Sequence, residues 1–107
     1  MDLRDSPRFP VSVPVVCECD GKVTECETIN ISRAGMMLMG RDLPPAGSTI
    51  KLRINLTYEL ELECEVRHAV HGCGVRVLAM RPEHESRWNA YLDELASAVA
   101  QSASQIE

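Results

Sequence analysis

No run of about 18 apolar residues occurs anywhere in this 107-residue sequence, which excludes a transmembrane helix. The opening Met1-Asp2-Leu3-Arg4-Asp5-Ser6-Pro7 lacks the apolar core of a secretion signal, so a cytoplasmic location is expected. Positive charge is short as well: Lys and Arg total 11 against 16 Asp and Glu, a formal net charge of −5. A chain this acidic should repel nucleic acid polymers and anionic membrane over most of its surface. Neither nucleic acid binding nor membrane insertion is expected of it. Any anion it holds must be gripped by a local set of arginines working against the overall field.

Catalytic patterns are missing too. There is no Walker or Rossmann glycine signature. His68, His71 and His84 offer possible general bases and the thiols possible nucleophiles, but no spacing joins them into a Ser/His/Asp or Cys/His set, so catalysis is not expected. His68 continues the inward stripe of its strand, the usual place of a packed histidine. The five cysteines, Cys17, Cys19, Cys26, Cys64 and Cys73, are an odd number and lack the spacing of structural zinc sites. They are expected as reduced, buried thiols that pack as small apolar groups, with no metal and no cofactor. With no internal repeat and no linker, residues 1–107 read as one domain, long enough to bury a core without disulfides.

What is present is alternation. Apolar residues fall at 11, 13, 15, 17 and 19, a period of two that predicts a half-buried strand, with Pro14 on the alternate set marking an edge or a bulge. Asp20-Gly21 is a hairpin turn signal, and Lys22 to Ile31 returns with a bulge or exposed stretch near Glu25 and Glu27. Met36-Met37-Leu38-Met39 makes a short strand, and Leu43 to Gly47 a loop. Ile50, Leu52, Ile54 and Leu56 alternate, as do Leu60, Leu62, Cys64 and Val66, with a turn at Thr57-Tyr58. A last strand runs from Cys73 to Met80, placing Val75, Val77 and Ala79 on one face. Six short strands with short turns predict a small antiparallel barrel or sandwich.

Pro82, followed by Glu83 and Glu85, then opens a helix. Trp88, Tyr91, Leu92, Leu95 and Val99 form a stripe of 3.6-residue period, so one face covers apolar surface; the segment from about Gln101 is expected to fray.

Two polar motifs remain. Arg4 and Arg8 stand four apart, but Pro7 disfavours helix at Ser6, so they belong to a loop ahead of the first strand. Two guanidinium forks there suit phosphate oxygens or the O6 and N7 of guanine; the plainer reading of this motif alone is a solvated arm in which they pair with Asp2 and Asp5. In Asn30-Ile31-Ser32-Arg33-Ala34-Gly35, extended geometry projects Asn30 and Ser32 to the same side, where both could read a base edge. Gly35 permits a positive φ or close backbone approach. The plainer reading is a turn whose Asn and Ser bond their own backbone.

In this order the two motifs, R-x-x-x-R ahead of the first strand and N-x-S-x-x-G at the second hairpin, resemble the PilZ family, as do Gly74-Val75-Arg76-Val77 and the terminal helix. The resemblance implies a six-stranded antiparallel β-barrel with a C-terminal helix, serving in bacterial second-messenger signalling as a receptor for cyclic di-GMP. It divides the chain into a ligand-binding arm at 1–10, the barrel at 11–80 and the helix at 82–100. It implies that Arg4 and Arg8 grip phosphate and guanine, that Asn30, Ser32 and Gly35 line the guanine site, and that Arg76 contributes. The arm, tied down only at its strand end, is expected to order on binding. A receptor of this size, monomer or weak homodimer, needs a protein effector to act on. The competing reading is a ligand-independent interaction adaptor, with Met36, Met37 and Met39 as an adaptable surface.

Overall fold

The computed structural model describes residues 7–56, 59–69 and 72–105, with side chains described as far as Ala98. Arg4, the Thr57-Tyr58 turn, His71 and the side chain of Val99 lie outside the described residues. Six strands, β1 (Pro14–Cys19), β2 (Lys22–Ile31), β3 (Gly35–Met39), β4 (Thr49–Asn55), β5 (Glu59–His68) and β6 (Cys73–Met80), precede one helix, α1 (Pro82–Gln105). They close into an antiparallel barrel in the order β1-β2-β3-β6-β5-β4, with β4 pairing back onto β1. Closure leaves no unpaired sheet edge, which settles barrel against sandwich.

The period-two pattern explains the core. Val15 and Cys17 of β1, Ile50, Leu52 and Ile54 of β4, and Leu60, Leu62, Cys64 and Val66 of β5 all point inward and are buried. Pro14, which cannot donate to a ladder, begins β1 and is exposed. Asp20 and Gly21 both take positive φ, 51° and 80°, the geometry that the β1–β2 hairpin requires.

Three register shifts interrupt the alternation. In β2, Thr28 faces Leu38 and Asn30 faces Met37, so Ile29 is an extra residue. In β5, Val66 faces Val75 and His68 faces Gly74, making Arg67 extra. In β6, Ala79 faces Glu63 and Val77 faces Cys64, making Leu78 extra. Each bulge reverses the in-out alternation beyond it. Ala79 is therefore exposed rather than sharing the face of Val75, and His68 is exposed rather than inward. Three thiols, Cys17, Cys64 and Cys73, are buried as expected, whereas Cys19 and Cys26 are partly exposed; all five are free.

α1 starts at Pro82 and continues through Gln105, past the expected end near residue 100. Trp88 and Leu92 are buried in the core, and Tyr91 and Leu95 pack against it. No helix among the described residues is long and apolar enough to cross a membrane.

Candidate functional site

The chain ahead of β1 is fastened to β2, and this fastening aims Arg8. Buried Thr28 donates its hydroxyl to the Val11 carbonyl at 2.6 Å and accepts the Val13 N–H at 2.9 Å. Two residues earlier in the chain, Phe9 exchanges both backbone hydrogen bonds with Ile31, at 2.8 and 2.9 Å. Arg8 is thereby delivered beside Asn30, and its Nη1 donates to Asn30 Oδ1 at 2.9 Å. The Ile29 bulge makes this meeting possible. Strict alternation from Thr28 would turn Asn30 inward; the extra residue leaves Asn30 half-buried at the surface and puts Ile31 fully in the core.

Ser32 behaves differently from Asn30. It is buried, its Oγ donates to the Gly35 carbonyl at 3.1 Å, and it accepts the Gly35 N–H at 3.2 Å. Asn30 and Ser32 thus differ in their partners: one reaches out to Arg8, the other stitches its own hairpin. The turn-stabilising reading holds for Ser32. Gly35 is required by close approach rather than by φ, since a Cβ there would collide with the Val75 carbonyl oxygen of β6.

Arg8, Ser32 and Gly35 share a groove of about 360 Å³ with Met37 of β3, Arg67 and His68 of β5, and Gly74 and Arg76 of β6. No carboxylate lines it among the described residues. Glu65 stands at its rim, where a single oxygen, Oε1, takes Arg67 Nη1 at 3.1 Å and Arg76 Nη2 at 3.5 Å. Glu65 and Arg76 are direct partners across β5 and β6. The imidazole of His68 lies over Gly74, where any Cβ would collide with it. The groove therefore gathers Arg8, Ser32, Gly35 and Arg76 of the expected site residues, with Asn30 bonded to Arg8 at its edge.

Arg67 and His68 were not legible as site residues: alternation turns Arg67 outward without showing what it faces, and the β5 bulge that turns His68 outward carries no compositional signal. Arg33 was also missed. It reaches α1, donating to Asn89 at 2.6 Å and pairing with Asp93 at 3.3 Å, while its carbonyl accepts the Trp88 indole N–H at 3.5 Å. The hairpin that borders the groove is thus strapped to the helix. Among the described residues, no cluster of His, Cys, Asp or Glu has the arrangement to hold a metal ion.

The fold has solved counterparts. The crystal structure of the PilZ domain of CeSA from a cellulose-synthesizing bacterium superposes with a TM-score of 0.59 at 19% identity, covering 75% of this chain and 87% of that one. The Bacillus subtilis inhibitor of motility, MotI/DgrA, superposes with a TM-score of 0.70 at 15% identity, covering 97% of this chain and 53% of that one. The chain thus spans about half the length of the second. No sequence among curated proteins matches it. The PilZ domain model matches residues 2–94, most of the chain's length, and the closed six-stranded barrel with its C-terminal helix agrees with it. The chain belongs to the PilZ domain family.

Proposed function

We propose that this protein is a cyclic di-GMP receptor and adaptor, which closes its N-terminal arginines over the groove on binding ligand and passes the change to a protein effector. The observation that carries this reading is the Arg8–Asn30 hydrogen bond at the edge of a groove that no carboxylate among the described residues lines, in a chain of net charge −5. Guanidinium forks match phosphodiester oxygens and the Hoogsteen edge of guanine, and a neutral amide beside them leaves the arginine charge uncancelled. Arg4, in the matched family segment, is the second clamp of the proposal. Ser32 and Gly35 act as a rigid floor, their contribution being a backbone shape rather than a free side-chain hydroxyl.

The effector side has support of its own. Ile29 and Met39 are exposed on the outer faces of β2 and β3, and the half-buried Met37 lines the groove beside them. A flexible apolar surface bordering the ligand groove suits a partner that senses occupancy. One of the fold's counterparts is an inhibitor of motility.

Titration calorimetry tests the receptor reading. Wild-type protein should bind cyclic di-GMP, Arg8→Ala should weaken binding at least tenfold, consistent with loss of about 1.5–3 kcal/mol from charged hydrogen bonds, and affinity should fall as salt rises. Absence of heat from correctly folded wild type would replace the receptor by the ligand-independent adaptor.

A further inference from the structure

We propose that the β5–β6 hairpin supplies a second anion subsite, made by Arg67, Arg76 and His68, and that Glu65 occupies it as an intramolecular stand-in until a phosphodiester displaces it. The proposal rests on the receptor reading for the identity of the natural ligand, though not for the existence of the subsite.

Two guanidiniums converge on one carboxylate oxygen, so the set carries one positive charge in excess before Arg8 is counted. Exposed ion pairs of this kind add little to stability, and their geometry is easily exchanged for a better acceptor. Here the side chains are roughly half exposed, at 55% for Arg67 and 47% for Arg76, and both line the groove. The acid that holds them is more buried, at 31%, and stands at the rim outside the lining. A phosphodiester presents two terminal oxygens and can engage both forks at once, which a single shared carboxylate oxygen does not.

The backbone is arranged to expose this set. Arg67 is the bulge residue of β5, and without it His68 would turn into the core. Gly74 gives up its side chain to the space that the imidazole fills, so His68 lies along the groove wall between Arg67 and the β6 strand. An aromatic plane there offers a stacking surface for a base whose phosphate is held by its neighbours. Arg8 enters the same groove from the N-terminal segment, on the side of β3 away from β5. A ligand with two phosphodiesters therefore has a cationic partner for each, and a mononucleotide does not use both.

Full-length wild type, Glu65→Gln and the double variant Arg67→Ala/Arg76→Ala would be titrated with cyclic di-GMP, after circular dichroism confirms folding. Glu65→Gln should tighten binding about fivefold, since a competing charge is removed with its hydrogen-bonding shape kept. The double variant should weaken it about tenfold or more. Equal affinity of all three overturns the subsite while leaving the receptor standing. A second arm uses inorganic pyrophosphate and the arginine Nε–Hε resonances of labelled protein. Shifts at Arg67 and Arg76, at lower concentration in Glu65→Gln than in wild type, support the subsite. Silence of both resonances in Glu65→Gln overturns it, whatever the wild type does with cyclic di-GMP.

Discussion

The arginine groove and a cavity lined by residues of β1, β4, β5 and β6 differ more in charge than in shape. The cavity is roomier, about 560 Å³ against about 360 Å³, and has an apolar floor of Ile50, Leu62 and Met80. Four carboxylates, Glu18, Asp20, Glu61 and Glu63, line it against two cations, Lys51 and Arg81. The groove shows the reverse: Arg8, Arg67 and Arg76 line it with no acid among them. In a chain with five more acidic than basic residues, acid-rich hollows are the expected outcome and need no functional account. A hollow that no carboxylate among the described residues lines is the departure. Volume would direct attention to the cavity, whereas charge directs it to the groove, and for an anionic ligand charge decides.

The sharpest way to break this comparison is through the backbone. Gly35→Ala forces a Cβ against the Val75 carbonyl, so β3 and β6 must separate where the groove forms. We expect a stability loss of about 3 kcal/mol, measured by chemical denaturation. Ligand binding should fall with it even in the fraction that remains folded. A variant with wild-type stability would show that the two strands do not approach as closely as described.

The barrel interior, which belongs to neither hollow, should show itself at alkaline pH. Burial pushes the thiols up, Cys17 to about 11 and Cys26 and Cys64 to about 12, with neighbouring thiols adding to the effect. Unfolded thiols titrate near 9. The folded state thus keeps protons that the unfolded state loses, and this contribution, complete below pH 9, declines as pH rises toward 12. Denaturation midpoints should fall across that window, and less so after Cys64→Ala once its own cavity cost is subtracted at neutral pH. A flat profile would mean that these thiols do not resist ionisation.

The smallest effect belongs to the acidic cavity. Lys51 pairs with Glu61 at 3.1 Å, and the hydrogen bond from Lys51 is the main reason the Glu61 carboxyl lies below its ordinary value. Lys51→Ala should raise the Glu61 value in an NMR titration and leave cyclic di-GMP affinity unchanged. Altered affinity would move the ligand toward the cavity and undo the contrast between the two hollows.

Much of the barrel was legible because burial on one face of a strand writes itself as alternation. Leu52 and Ile54 on β4, and Leu60 and Leu62 on β5, needed no further information, nor did the Asp20-Gly21 turn, whose positive φ values few other residue pairs accept. The bulges were not legible in detail. One extra residue changes which way Asn30, His68 and Ala79 point without altering composition, and only the partner strand shows which residue is extra. His68 was expected inside for this reason. The Arg33 strap was hidden too, since its acceptors Asn89 and Asp93 lie 56 and 60 residues away.

By itself, then, the sequence determined the kind of fold, because local periodicity acts over a few residues, and it singled out Arg8 and Gly35 through the order and spacing of two motifs that resemble those of the family. Tertiary structure alone decided that Ser32 stitches a turn while Asn30 meets Arg8, and that Arg67 and His68 join the groove of Arg8 and Arg76. Those outcomes depend on register between strands far apart in the chain, which a shift of one residue reverses.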